Sequence, residues 1–235
     1  MPLWRFKAGY FTSPLERDTG LKPKVLSLPT ASYSWQWLTA RQARRKVQSL
    51  QKEVREQVGA SIQWRDEGSA VYAERPGGFE ALRAYAKWID YRETMPSFDA
   101  PDDGNYYNHP VWLIPEHRED SCFHLVNHNC HSGYFFPCEF RGIACVEPFE
   151  VFGRPFKKMV ASTFEVQREL QSIHSYLALD TEKWQNDPES HRYATGSDGR
   201  TLPVDPLYFV KVGFAALGTA VGESLKHGLP VIFHG

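Results

Sequence analysis

Net charge is almost absent: 27 lysines and arginines face 28 aspartates and glutamates, which leaves −1. A balance this even gives the chain no general pull toward nucleic acid or an anionic membrane surface. Long apolar runs are missing as well. None reaches the ~20 residues that span a bilayer. The nearest, 207–225, is broken by Lys211, Glu223 and three glycines. The catalytic signatures with the clearest mechanics are also lacking. There is no GxSxG, no Gly-rich phosphate loop, no GxGxxG, and no CxxC, HExxH or HxH spacing.

Cysteine is scarce and confined to one region, at positions 122, 130, 138 and 145. The first residues, MPLWRFKAGYF, lack the apolar core and small-residue cleavage site of a signal peptide. Free thiols in a reducing compartment are therefore expected, with a cytoplasmic location. Aromatic residues make up 14% of the 235, enough to argue for a packed globular chain.

The chain collects reactive groups in one stretch, His124 to Phe140, reading HLVNHNCHSGYFFPCEF. Around it the sequence predicts a single α+β domain, residues 1–235, with a small, mainly antiparallel sheet and about four helices. Loops are expected at 12–34, 94–110 and 180–205. Residues 3–11 could form a first strand. Apolar residues at Ala43, Val47, Leu50, Val54 and Val58 mark a helix over 39–58, stopped by Gly59. Its other face is basic, with Arg41, Arg44, Arg45, Lys46, Lys52 and Arg55. That face is either simply solvated or a patch for an acidic partner. A hairpin is expected over 61–74, turning at Gly68. Helices follow at 79–91, 163–179 and 206–226, each with an apolar stripe at helical spacing; the last reads as the most buried helix. Strands are expected at 111–114, 122–127, 133–136, 146–152 and 231–234. The 94–110 loop carries Asp99, Asp102 and Asp103 and a Tyr106–Tyr107 pair. Acid and exposed tyrosine together suit an interaction surface.

Three chemistries compete for the central stretch. A zinc site would need tetrahedral Cys and His ligands. If 122–131 is extended, His124 and His128 lie about 13 Å apart, too far to share an ion. His128 and Cys130, about 6.6 Å apart on one face with His131 on the other, could share one, with Cys138 or Cys145 brought back by a turn. A Cys–His nucleophile pair fares worse, because Cys130 and His131 are neighbours and would point apart on a strand. The third reading is structural: the aromatics supply core, and the imidazoles satisfy backbone groups in turns.

The string H-L-V-x-H-x-x-x-S-G-Y-F-x-P-x-x-F resembles a pattern in small uncharacterised bacterial proteins. In those it follows a helix reading L-x-x-A-x-x-I-D, here Leu82 to Asp90. The resemblance spans 79–179 and departs at Asn129, Cys130 and His131. Such proteins are similar to immunity proteins encoded beside secreted toxins. The resemblance implies a cytoplasmic, non-enzymatic protein that binds and blocks a cognate toxin, with no catalytic residue carried over. The expected partner is that toxin or another protein, with no nucleic acid, no membrane span and no cofactor. Its contacts would fall on Asp99, Asp102, Asp103, Tyr106 and Tyr107, and on Arg44 and Arg45. The alternative is a metal-dependent hydrolase using the cluster at 124–138, with zinc held by His128, Cys130, His131 and Cys138.

Overall fold

The computed structural model describes residues 24–27, 48–62, 69–72, 78–101, 104–115, 121–128, 132–151, 154–195, 199 and 201–234. Its centre is a six-stranded sheet. The strands are β1 (Lys24–Ser27), β2 (Ser69–Tyr72), β3 (Ser132–Phe136), β4 (Ala144–Val151) and β5 (Arg154–Ser162). A small separate hairpin, β6 (Tyr193–Thr195) and β7 (Thr201–Pro203), precedes β8 (Val231–His234). The order across the sheet is β1-β2-β8-β3-β5-β4. Three neighbouring pairs are antiparallel, while β2/β8 and β3/β5 run parallel.

Alternation along β3 divides the protein into layers. Phe135 belongs to the larger core, with α2 (Phe79–Tyr91), α4 (Thr163–Leu177) and α6 (Tyr208–His227). Phe136 points the other way, into a smaller core with Leu50 and Val54 of α1 (residues 48–58). On β5, Val160 and Ala161 divide between the same two cores. Helices thus cover both faces of a mixed sheet, and the α+β class holds. Two short helices, α3 (Phe123–Asn127) and α5 (Thr181–Asn186), complete the set.

The long helices form where the apolar spacing predicts them. Ser162 caps α4 by accepting the Glu165 N–H at 3.4 Å. Gly59 and Gly228 close α1 and α6 at φ +71° and +64°. The stripes of α2, α4 and α6 are buried as expected, but α2 is the more enclosed helix, down to Lys87. α2 and α6 meet at Gly78 and Gly213. A Cβ on Gly213 would stand 2.2 Å from the Gly78 carbonyl oxygen, so only glycine fits. The edge strand β4 is guarded by Gln57. Its side-chain amide donates to the Cys145 carbonyl at 2.7 Å and accepts the Cys145 N–H at 2.8 Å.

Several expectations fail here. Residues 122–127 are not a strand: 123–127 form α3. The reason is tertiary. Glu169 of α4 accepts the N–H groups of His124 (2.7 Å) and Leu125 (2.8 Å), and Arg83 of α2 donates to the carbonyls of Leu125 and Val126. Both ends of one helical turn are satisfied from distant residues. Residues 111–114 are not a strand either; Pro110–Leu113 is a 3-10 turn. β2 pairs with β1, inside the stretch read as loop, and with β8, while residues 63–68, with the expected turn at Gly68, lie outside the described residues. β5 was not foreseen. The 180–205 segment holds α5, a 3-10 turn at Pro188–His191 and the β6/β7 hairpin. The expected strand at 3–11, and the helix over 39–47, lie outside the described residues.

Candidate functional site

The stretch 90–120 carries eight of the 28 carboxylates in the sequence, and α2 holds its described residues in place. Arg83 and Lys87, one turn apart on α2, flank the Trp112 ring at 5.3 and 5.4 Å from its centroid. Lys87 is 1% exposed, and its ammonium donates to the Ile114 carbonyl at 2.6 Å. Trp112 in turn donates to the Tyr106 carbonyl at 2.7 Å. The Tyr91 hydroxyl reaches the Pro115 carbonyl at 3.2 Å. Asp90 accepts from the Ser121 N–H (2.8 Å) and hydroxyl (2.6 Å). The points where the chain leaves the described residues at 115 and returns at 121 are therefore both fastened to the last turn of α2.

His109 organises the middle of the connection. Its ring stacks on Phe98 with centroids 4.6 Å apart. Its Nδ1 accepts the Val111 N–H at 3.1 Å and caps the 110–113 turn. An accepting Nδ1 must be unprotonated, and burial accordingly holds the His109 pKa below its usual value. A hydrogen bond to the Asp99 backbone and the Asp99 charge oppose that shift only in part. Asp99 is exposed and accepts from the Ser97 hydroxyl at 2.8 Å. The Gly104 N–H donates to the Pro101 carbonyl at 2.8 Å, so the described chain is pinned on either side of Asp102 and Asp103.

The tyrosine pair divides. Tyr107 is 45% exposed, and its hydroxyl donates to Glu80 at 3.0 Å. Tyr106 is buried, against expectation. Burial, with the Asp205 charge behind it, pushes its pKa up to about 12. Its side chain belongs to the core and cannot meet a partner. Asp102, Asp103, Arg44 and Arg45 lie outside the described residues.

The expected metal ligands are not gathered. The His128 ring lies 4.5 Å from that of Phe135, tilted by 59°, and its Nε2–H donates to the Met159 carbonyl at 3.1 Å, on the α2/α4/α6 side of the sheet. It closes over Gly133, whose φ of +146° and close approach to the ring suit only glycine. Cys138 packs in the other core, under α1. Burial raises its thiol to about 11. Cys130 and His131 lie outside the described residues. Among the described residues, no three His, Cys, Asp or Glu side chains could hold an ion. His124 belongs to a different arrangement: its Nδ1 meets Glu169 at 2.8 Å, both side chains buried.

Whole-chain charge concealed a feature that sequence reasoning could have found by windowing. Residues 1–58 hold eleven bases and four acids, a net of +7. Residues 59–235 hold 16 bases and 24 acids, a net of −8. Within the latter, 90–120 carry eight carboxylates against two arginines. One of these, Arg92, donates to the Ile89 carbonyl at 2.9 Å and sits 4.9 Å over the Tyr176 ring. Glu93 and Asp99 of the same stretch are exposed.

Fold and site together define an α+β scaffold that displays an anchored acidic connection. No helix among the described residues is long and apolar enough to cross a membrane. The chain belongs to the family described as "Putative DNA-mimic protein", whose model matches residues 39–233. No curated protein and no solved structure matches it. The family overturns the expectation of a toxin-neutralising immunity protein with a toxin as partner. It also overturns the metal-dependent hydrolase, two of whose expected ligands, His128 and Cys138, lie on opposite sides of the sheet. Near-zero net charge gave no sign of this family, because the acid of 59–235 is offset by the base of 1–58.

Proposed function

We propose that this protein occupies the DNA-binding face of a DNA-binding protein. Carboxylates of the 90–120 connection take the places of phosphates. The supporting observation is the concentration of acid on a segment tied to α2 at Trp112, Ile114, Pro115 and Ser121. Fixed charges lose little freedom on binding, so their attraction goes into affinity and encounter rate. Such a protein works where DNA is handled, which in a bacterium is the cytoplasm.

The test is displacement. Proteins retained on DNA-agarose are challenged with this protein, and those released are titrated against it and against a duplex. Release should be competitive with duplex. The double variant Glu93→Gln/Asp99→Asn should weaken binding by roughly 1 kcal/mol, about fivefold, as expected of two exposed pairs. Salt dependence should be shallower than for DNA, because a folded surface lacks the condensed counterions that a duplex releases. If nothing is released, or release ignores the duplex, the reading fails.

A further inference from the structure

Leu113 is 86% exposed, the most exposed of the large apolar side chains described. A lone surface leucine is ordinary. This one differs in its setting. Pro110 and the His109 cap fix the start of its turn. Val111 is buried on one side of it. Trp112 is gripped by two cations and a carbonyl, and Ile114 by Lys87. The turn has no slack with which to tuck the side chain away. It stands within the acidic connection, and the ring of Tyr107, itself half exposed, lies on the neighbouring turn.

Resting on the reading above, we propose that Leu113 is an apolar anchor. The partner it fits is a major-groove reader that combines phosphate-binding cations with an apolar recess, of the kind that meets a thymine methyl group. Carboxylates alone would satisfy any basic groove. An apolar group fixed on the same connection selects a reader with a matching recess, and filling that recess is worth on the order of 10- to 100-fold in affinity.

The full chain and its Leu113→Ser variant are compared on a protein released from DNA-agarose by the wild type and displaced from it by duplex. So exposed a side chain can be changed without unfolding, and an unchanged melting temperature verifies this. Leu113→Ser should weaken binding at least tenfold and leave the slope of log K against log salt unchanged. Glu93→Gln/Asp99→Asn should instead reduce that slope. The same reader should bind a thymine duplex more tightly than its deoxyuridine counterpart, which lacks the methyl. If wild type binds competitively with DNA but Leu113→Ser stays within twofold, the anchor is refuted and the mimicry stands. A reader indifferent to the methyl also refutes the recess. If no duplex-displaced protein is found, both fall.

Discussion

Replacing Glu169 with alanine should destabilise the protein severely, although the residue lies in no catalytic or exposed site. Its carboxylate accepts three hydrogen bonds: the backbone N–H of His124 at 2.7 Å, that of Leu125 at 2.8 Å, and the His124 imidazole at 2.8 Å. All lie in the interior. Truncation strands two amide donors and one ring nitrogen, and each buried unpaired group costs about 1–3 kcal/mol. Removing one partner of a buried pair is typically a loss of about 3–5 kcal/mol. We therefore expect about 4 kcal/mol, against a total stability on the order of 5–15 kcal/mol. At this chain length the melting temperature should fall by about 8–16 °C. His124→Ala removes one of the three bonds and should cost only about 1–2 kcal/mol. The double variant should be little worse than Glu169→Ala alone, because the imidazole contributes chiefly through that carboxylate. Urea titration with a fitted m-value measures the loss. Hydrogen exchange at the amides of 124 and 125 localises it. A Glu169→Ala loss below about 1 kcal/mol at constant m would refute the account of why this turn is helical.

Three further outcomes are expected. Protonating His109 would abolish its acceptance of the Val111 N–H; because its folded pKa lies below the unfolded value, this contribution is complete above about pH 6.5 and fades as pH falls below it. Protection of the Val111 amide, its exchange rate taken relative to the intrinsic rate at each pH, should fall on acidification, and a pH-independent protection factor would contradict the cap. Tyr106→Phe should be neutral or stabilising by about 1 kcal/mol, since the buried hydroxyl has no hydrogen-bond partner; a clear loss in the melting midpoint would show otherwise. Cys138, with a pKa near 11, should react with a thiol reagent at pH 8 on the order of 100-fold more slowly than free cysteine, and comparable rates would refute its burial.

What the sequence revealed follows the range of the forces involved. α2, α4 and α6 were legible because their stripes and caps lie within a few residues of one another. The sheet was not. β1 sits in a Pro- and Ser-rich stretch, and β5 reads RPFKKMVAS, with no alternation to announce it. α3 was misread because its caps come from Arg83 and Glu169, some 40 residues away on either side. The acidic connection was half legible. Asp99 and Tyr107 were named, but Tyr106 was placed outside, since two adjacent tyrosines look alike until the fold sends one inward. Leu113 was hidden by being read as part of a buried strand.

The middle of the sheet has a consequence for biosynthesis. β8 lies between β2 and β3, bonded in parallel to Val71 and Tyr72 and antiparallel to 132–135. Without it, the β1/β2 ribbon has no bonded link to the other three strands. A growing chain therefore carries two unjoined half-sheets, each with an open edge, until translation passes residue 234. Any factor that shields nascent chains has most to do in that interval, and a stop codon shortly before residue 231 would leave a sheet unable to close.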